Sequence, residues 1–218
     1  MVWLFGIAVL AGASYTLDPW GLAEAGVWAA AWKTSGVALL AGWAGSRARS
    51  FDGWLLTAVL ALGASGDLLL ETHGVVAGGA AFAVGHVVAI WLYLRNRRVS
   101  PSMSQWLLGW ALVPLVTLIA LLFTQGDKGV GGYAALLGGM AASAWISRFP
   151  RYRVGIGAVL FVASDLLIFA RMGPLAGSPL PDLLIWPLYF AGQALIAWGV
   201  VQALQQRSLG DEGIHHRL

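Results

Sequence analysis

Apolar residues run in eight long stretches, near residues 2–17, 27–46, 53–70, 76–94, 105–124, 129–147, 153–170 and 183–204, separated by short polar clusters. Each stretch is close to the ~20 residues that cross a ~30 Å hydrocarbon core as a helix. The pattern predicts an all-α integral membrane protein with eight transmembrane helices. The first stretch lacks the basic leader of a signal peptide and has later spans to pack against, so it reads as a helix. Residues 1–204 are expected to form one transmembrane domain, and residues 205–218 a polar, frayed cytoplasmic tail.

Charge sets the orientation. Basic residues concentrate in the even-numbered connections (Arg47 and Arg49; Arg95, Arg97 and Arg98; Arg148, Arg151 and Arg153) and in the tail (Arg207 and Arg217). The odd-numbered connections carry Asp18 and Glu24, then Glu71 and His73, then Asp127 with Lys128, then Arg171 with Asp182. With both termini cytoplasmic, ten of the thirteen basic residues lie inside, Lys128 and Arg171 lie outside, and Lys33 falls within a span. The positive-inside rule selects that arrangement. Tryptophans near span ends, among them Trp3, Trp20, Trp28, Trp54, Trp106 and Trp186, read as an interfacial belt.

Composition agrees and removes other classes. The chain of 218 residues is 59% hydrophobic and 11% charged, against roughly 25% charged in a soluble domain. Its net charge of +3 is divided among separate loops without interleaved aromatics, which argues against a nucleic-acid partner. The absence of cysteine excludes disulfides, thiolate metal sites and cysteine nucleophiles. The 29 glycines follow no collagen period and suit close helix packing. Pairs such as Gly131-Gly132 and Gly138-Gly139 allow close contacts within or between chains, which leaves the oligomeric state open.

Two halves of the chain resemble each other. Ser65-Gly66-Asp67-Leu68-Leu69-Leu70 in span three parallels Ala163-Ser164-Asp165-Leu166-Leu167-Ile168 in span seven. Phe82-x-x-Gly85-His86-x4-Trp91 in span four parallels Tyr189-x-x-Gly192-Gln193-x4-Trp198 in span eight. Partners four spans apart cross in the same direction, as a parallel four-plus-four repeat requires.

Against this apolar background, Lys33, Asp67, His86 and Asp165 lie inside spans. A charge at the centre of a spanning helix costs ~2.5–3.5 kcal/mol on insertion scales, and such residues normally face the bundle interior and one another. With both termini inside, Lys33, Asp67 and Asp165 fall in the outer halves of their spans, and His86 and Gln193 lie nearer the middle. At ~1.5 Å rise per residue these depths overlap within roughly 10 Å, which suggests one polar site. Each residue also has a plainer role open to it: Lys33 snorkelling outward, the carboxylates pairing with Lys33, and His86, Gln193, Tyr189 and Ser164 bonding between helices. Two carboxylates and one ammonium nevertheless leave a negative group unmatched.

In this order the residues resemble the YhhN-like lysoplasmalogenase family. The resemblance rests on Lys33, Gly66-Asp67, Phe82 to His86, Gly157-Ala158 to Ser164-Asp165, and Tyr189-Phe190 to Gln193 with Leu195-Ile196, and covers residues 27–204. Thr34 and Ala89 depart from the Pro and Tyr common there. The resemblance implies hydrolysis of the vinyl ether bond of a lysoplasmalogen to a fatty aldehyde and a glycerophospho-alcohol, with Asp67 and Asp165 as catalytic residues. Lys33, His86, Ser164, Tyr189 and Gln193 would bind substrate or support them. The expected partners are a lysophospholipid and membrane lipids, with no cofactor or metal, in a bacterial cytoplasmic membrane.

The chemistry fits the residues: acid cleavage of a vinyl ether needs one acid and one anion close together, much as glycoside hydrolysis does. Two rivals use similar groups. A zinc-dependent intramembrane lipid amidase takes three ligands rich in His, and only His86 lies at depth. A proton- or cation-coupled transporter accommodates buried Asp, Lys and His but often has helices broken near the midplane, and Pro114 is the one proline well inside an expected span.

Overall fold

A computed structural model describes residues 2–17 and 26–215. The connection holding Asp18, Trp20 and Glu24, and Arg217 in the tail, lie outside the described residues. The described chain is helical without strands: α1 (Val2–Ser14, continued by a 3-10 turn at Tyr15–Leu17), α2 (Val27–Arg47), α3 (Phe51–His73), α4 (Val75–Arg95), α5 (Met103–Phe123), α6 (Lys128–Ile146), α7 (Ile156–Met172, preceded by a π turn at Arg151–Gly155) and α8 (Leu180–His215). Six of these, α3 to α8, are long and apolar enough to cross a membrane, and the protein is an integral multi-pass membrane protein. α1 is apolar but short.

Polar residues set the helix ends. The Ser50 side chain accepts from Gly53 N–H at the start of α3. Ser102 and Gln105 form a capping box on α5, and the Asp127 carboxylate accepts from Gly129 and Val130 on α6. Each satisfies N–H groups that a helix start leaves without intrahelical partners. At the other end of α3, Gly74 adopts φ 84° and lets α4 begin one residue after α3 ends.

Successive helices pack as hairpins, α2 on α3, α3 on α4, α5 on α6 and α7 on α8. The bundle closes through non-consecutive pairs, with α4 against α6, α5 against α7, and α8 against α2 and α3. α7 and α8 cross closely because a Cβ on Gly157 would stand 2.7 Å from the Gly192 carbonyl oxygen, and one on Gly192 2.6 Å from that of Gly157. Gly138 similarly meets the backbone of Val113, so that glycine serves a contact within the chain.

The loops after α4 and α6 are joined by Arg98 N–H to Ile146 O at 3.1 Å and Arg148 N–H to Asn96 O at 2.7 Å. Arg207 of α8 reaches Asn96 Oδ1 at 2.7 Å and lies over the Phe149 ring. The basic connections thus share one end of the bundle.

Three expectations change. Residues 205–215 continue α8 as helix where a frayed tail was expected, and Arg207 supplies a tertiary anchor there. Trp3, Trp28, Trp54 and Trp106 are exposed, as a belt requires, but Trp186 is buried and donates from Nε1 to the Gly12 carbonyl at 2.8 Å. Trp186 is core. Because α8 begins at Leu180, Pro187 joins Pro114 as a proline inside a helix.

Candidate active site

A cavity of about 1180 Å³ opens at the end of the bundle opposite the basic loops. Its wall includes Lys33 from α2, Asp67 and Glu71 from α3, Phe82 from α4, Tyr133 from α6, Ser164 and Asp165 from α7, and Trp186 and Tyr189 from α8. Asp67 and Asp165 are buried, with 2% and 6% of their surface exposed. Carboxyl groups so enclosed are costly unless hydrogen-bonded, and each has a tyrosine. Tyr189 donates from its hydroxyl to Asp67 Oδ2 at 2.8 Å, and Tyr133 donates to Asp165 Oδ2 at 2.6 Å.

Behind each tyrosine stands a nitrogen. Gln193 Nε2 donates to Tyr189 Oη at 3.4 Å, and His86 Nε2 lies 3.2 Å from Tyr133 Oη. While Tyr133 donates to Asp165, its oxygen accepts, so His86 carries its proton on Nε2. Gln193 and His86 are both buried, and neither lines the cavity. A Cβ on Gly63 would come within 2.8 Å of Gln193 Nε2, so the bare backbone there leaves room for the amide.

Aromatic rings hold the two pairs apart. Phe161 meets Phe82, His86 and Tyr189 edge to face at centroid distances of 6.1, 5.2 and 5.0 Å, geometries that aromatic pairs prefer. Trp186 lies 5.5 Å from Tyr189. The wall around the carboxyl groups is therefore largely apolar, with polar groups converging at two points.

The remaining expected residues fall into different places. Lys33 does not bond either aspartate; its Nζ meets Glu71 Oε1 at 2.6 Å, beside the cavity mouth. Lys33 and Asp165 still stand within electrostatic reach of Asp67. Ser164 lines the cavity, but its hydroxyl donates to the Ile185 carbonyl at 2.9 Å, which ties α7 to α8. Asp67, Asp165 and Tyr189 thus meet in one cavity, His86 and Gln193 stand behind them, and Lys33 is at the entrance.

Two residues were missed. Tyr133 joins Asp165 to His86, and its signal was a lone tyrosine at similar depth in a glycine-rich span. Glu71 was assigned to a connection because span three was ended at residue 70. With α3 running to His73, Glu71 lies four residues beyond Asp67 on the same helical face. Among the described residues, no group of three or more His, Asp or Glu gathers in a way that could hold a metal ion.

No curated protein and no solved structure matches the chain. The model of the YhhN family matches residues 28–200, a range that holds every candidate residue described above, and the chain belongs to that family.

Proposed function

We propose that this protein is an eight-span intramembrane lipid hydrolase, a lysoplasmalogenase that cleaves the vinyl ether bond of a lysophospholipid. The observation that carries this reading is the pair of buried carboxyl groups, Asp67 and Asp165, in one cavity and each bonded to a tyrosine hydroxyl. α1 and α2 complete the eight spans, both termini are cytoplasmic, and the cavity opens toward the outer side of a bacterial cytoplasmic membrane. The excess of arginine at the opposite end supports that orientation. The hairpins α3/α4 and α7/α8 are equivalent units of a duplicated four-helix half; a superposition of residues 53–94 on 153–204 without a common arrangement would remove the repeat.

In this mechanism the acid protonates the alkene carbon remote from the ether oxygen, and the positive charge is shared with that oxygen as an oxocarbenium ion at the carbon bonded to it. Water attacks that carbon and loses its proton to the second carboxylate, giving a hemiacetal. The hemiacetal collapses to aldehyde and alcohol as its hydroxyl proton leaves and the departing oxygen is protonated. Proton exchange with solvent returns the acid and the base to their starting forms, so one water is consumed and no proton is gained or lost overall. An anion held near the oxocarbenium stabilises it, as in glycoside hydrolysis. Largely apolar walls strengthen that interaction by excluding water.

The two hydrogen-bond chains suggest how the carboxyl groups divide these roles. The Gln193 amide nitrogen can only donate, so Tyr189 must accept from it and donate onward, which leaves Asp67 as an acceptor. Asp67 is therefore assigned as base and cation stabiliser. An imidazole nitrogen donates or accepts according to its tautomer, so the Asp165–Tyr133–His86 chain runs in either direction. Asp165 is assigned as the acid, with Tyr133 and His86 able to hold its proton in place.

The test is mass spectrometry of a defined lysoplasmalogen before and after incubation with the purified protein, together with reconstituted vesicles. Aldehyde and glycerophospho-alcohol in equal amounts support the reading. Lipid flux without aldehyde would replace it with transport.

A further inference from the structure

A second cleft, of about 610 Å³, lies at the other end of the bundle, where the turn from α2 into α3 faces the last turns of α8. Its wall includes Arg47, Arg49, Ser50, Gly53, Leu204 and Ser208, and among the described lining residues no acid balances the two arginines. Arg47 Nε is shielded from solvent and has no acceptor among the described residues. Arg49 is exposed at the rim, its Nη1 donates to the Ala48 carbonyl, and no acidic side chain among the described residues pairs with it. A buried guanidinium nitrogen without an acceptor is unfavourable in the folded protein.

The backbone adds to this positive field. The start of α3 borders the same cleft, with its cap Ser50 and Gly53 in the wall, so the positive end of a 23-residue helix lies beside the arginines. Asp52, the acid of its first turn, is drawn away: its Oδ1 accepts from Arg95 Nε at 3.1 Å and its Oδ2 from Asn96 Nδ2 at 2.9 Å. Ala44, Val201 and Leu204 form an apolar side to the cleft. The planar fork of arginine matches the oxygens of a phosphate group, and basic clefts between membrane helices suit anionic head groups.

We propose that this cleft binds a phosphate anion, with Arg47 and Arg49 as its ligands. The anion is either the head group of an anionic membrane lipid, whose carbon chain lies on the apolar side, or free phosphate. The site is separate from the aspartate cavity and does not depend on the activity assigned there.

The test follows the thermal midpoint of the full-length protein in neutral detergent during titration with inorganic phosphate, short-chain phosphatidylglycerol or short-chain phosphatidylcholine. Phosphatidylglycerol is expected to raise the midpoint of the wild type, with at least about tenfold weaker binding in Arg47→Gln and in Arg49→Gln. Arg98→Gln, which alters a basic residue outside the cleft, is expected to retain the wild-type response. Arg47→Lys keeps the charge and is included in case Arg47→Gln does not fold. A rise with phosphatidylglycerol alone identifies the lipid as the source, and an equal rise with phosphate identifies the free anion. No rise with either probe overturns the site, as does a folded Arg47→Gln or Arg49→Gln protein that binds as tightly as wild type, an Arg47→Lys protein that does so where Arg47→Gln does not fold, or phosphatidylcholine acting as well as phosphatidylglycerol.

Discussion

Asp67 and Asp165 sit in the same cavity and accept the same kind of hydrogen bond, yet an amide stands behind one tyrosine and an imidazole behind the other. Their surroundings differ as well. Asp67 shares its side of the cavity with the Lys33–Glu71 ion pair one helical turn away, whereas the Asp165 chain leads inward to His86, which is walled by Phe161 and Tyr133. Two carboxyl groups in unlike environments can hold different protonation states at one pH, which is how paired acids divide the roles of acid and base. The comparison teaches that two buried aspartates with the same kind of tyrosine donor can stand at the ends of different hydrogen-bond chains.

The strongest challenge removes the carboxyl groups themselves. Asp67→Asn and Asp165→Asn should each lower aldehyde release by about 10²–10⁴-fold, the range for loss of a general acid or base. Wild-type release by either folded variant would end the two-aspartate mechanism.

Next come the tyrosines. Tyr133→Phe and Tyr189→Phe leave a buried carboxyl oxygen without its donor, and each should cost on the order of tenfold or more in kcat, given ~1–3 kcal/mol for a partner lost in the interior. Unchanged kcat in Tyr133→Phe would show that Asp165 does not act through this chain.

The amide and imidazole can be compared directly. His86→Gln places an amide behind Tyr133 as in the first chain, and kcat should fall about tenfold, less than the ~10²–10⁴-fold expected for a group that itself transfers the proton. Gln193→Ala removes a long hydrogen bond and leaves a buried cavity, so the protein should lose stability while kcat changes about threefold or less. If both substitutions have the same effect, the asymmetry between the chains has no catalytic meaning.

The smallest effect belongs to the entrance. Lys33→Met should raise KM several-fold while kcat stays within about twofold, as for a residue that contributes only to uniform binding. A large fall in kcat with KM unchanged would move Lys33 from the entrance to the reacting groups.

Much of this arrangement was legible in the residues. The expected span limits fall within a few residues of the observed helices for α2 to α7, because apolar length and flanking polar residues are local properties. Asp67 and Asp165 were chosen because ionisable groups in a membrane span normally face one another, Tyr189 was implied by the family resemblance, and the cavity gathers all three. Partner identity was less legible. Lys33 met Glu71 because α3 extends another turn past the apolar run, and a terminal turn needs only backbone bonds and a left-handed Gly74 to end it. Tyr133 escaped notice because its importance depends on α6 packing against α4, a pairing of non-consecutive helices.

Trp186 makes the same point. Near a span end its indole reads as an interfacial anchor, but the Gly12 carbonyl of α1, 174 residues away, takes its N–H and draws the ring into the core. Hydropathy, charge asymmetry and the cost of burying polar groups were enough to establish a helical membrane protein and to select its unusual ionisable residues, since each follows from the solvent a single segment can tolerate. Which tyrosine serves which aspartate, what stands behind it, and where arginine lacks an acceptor were settled by helix pairing. Hydrogen bonds of ~3 Å depend on where distant segments cross, and no local pattern specifies those crossings.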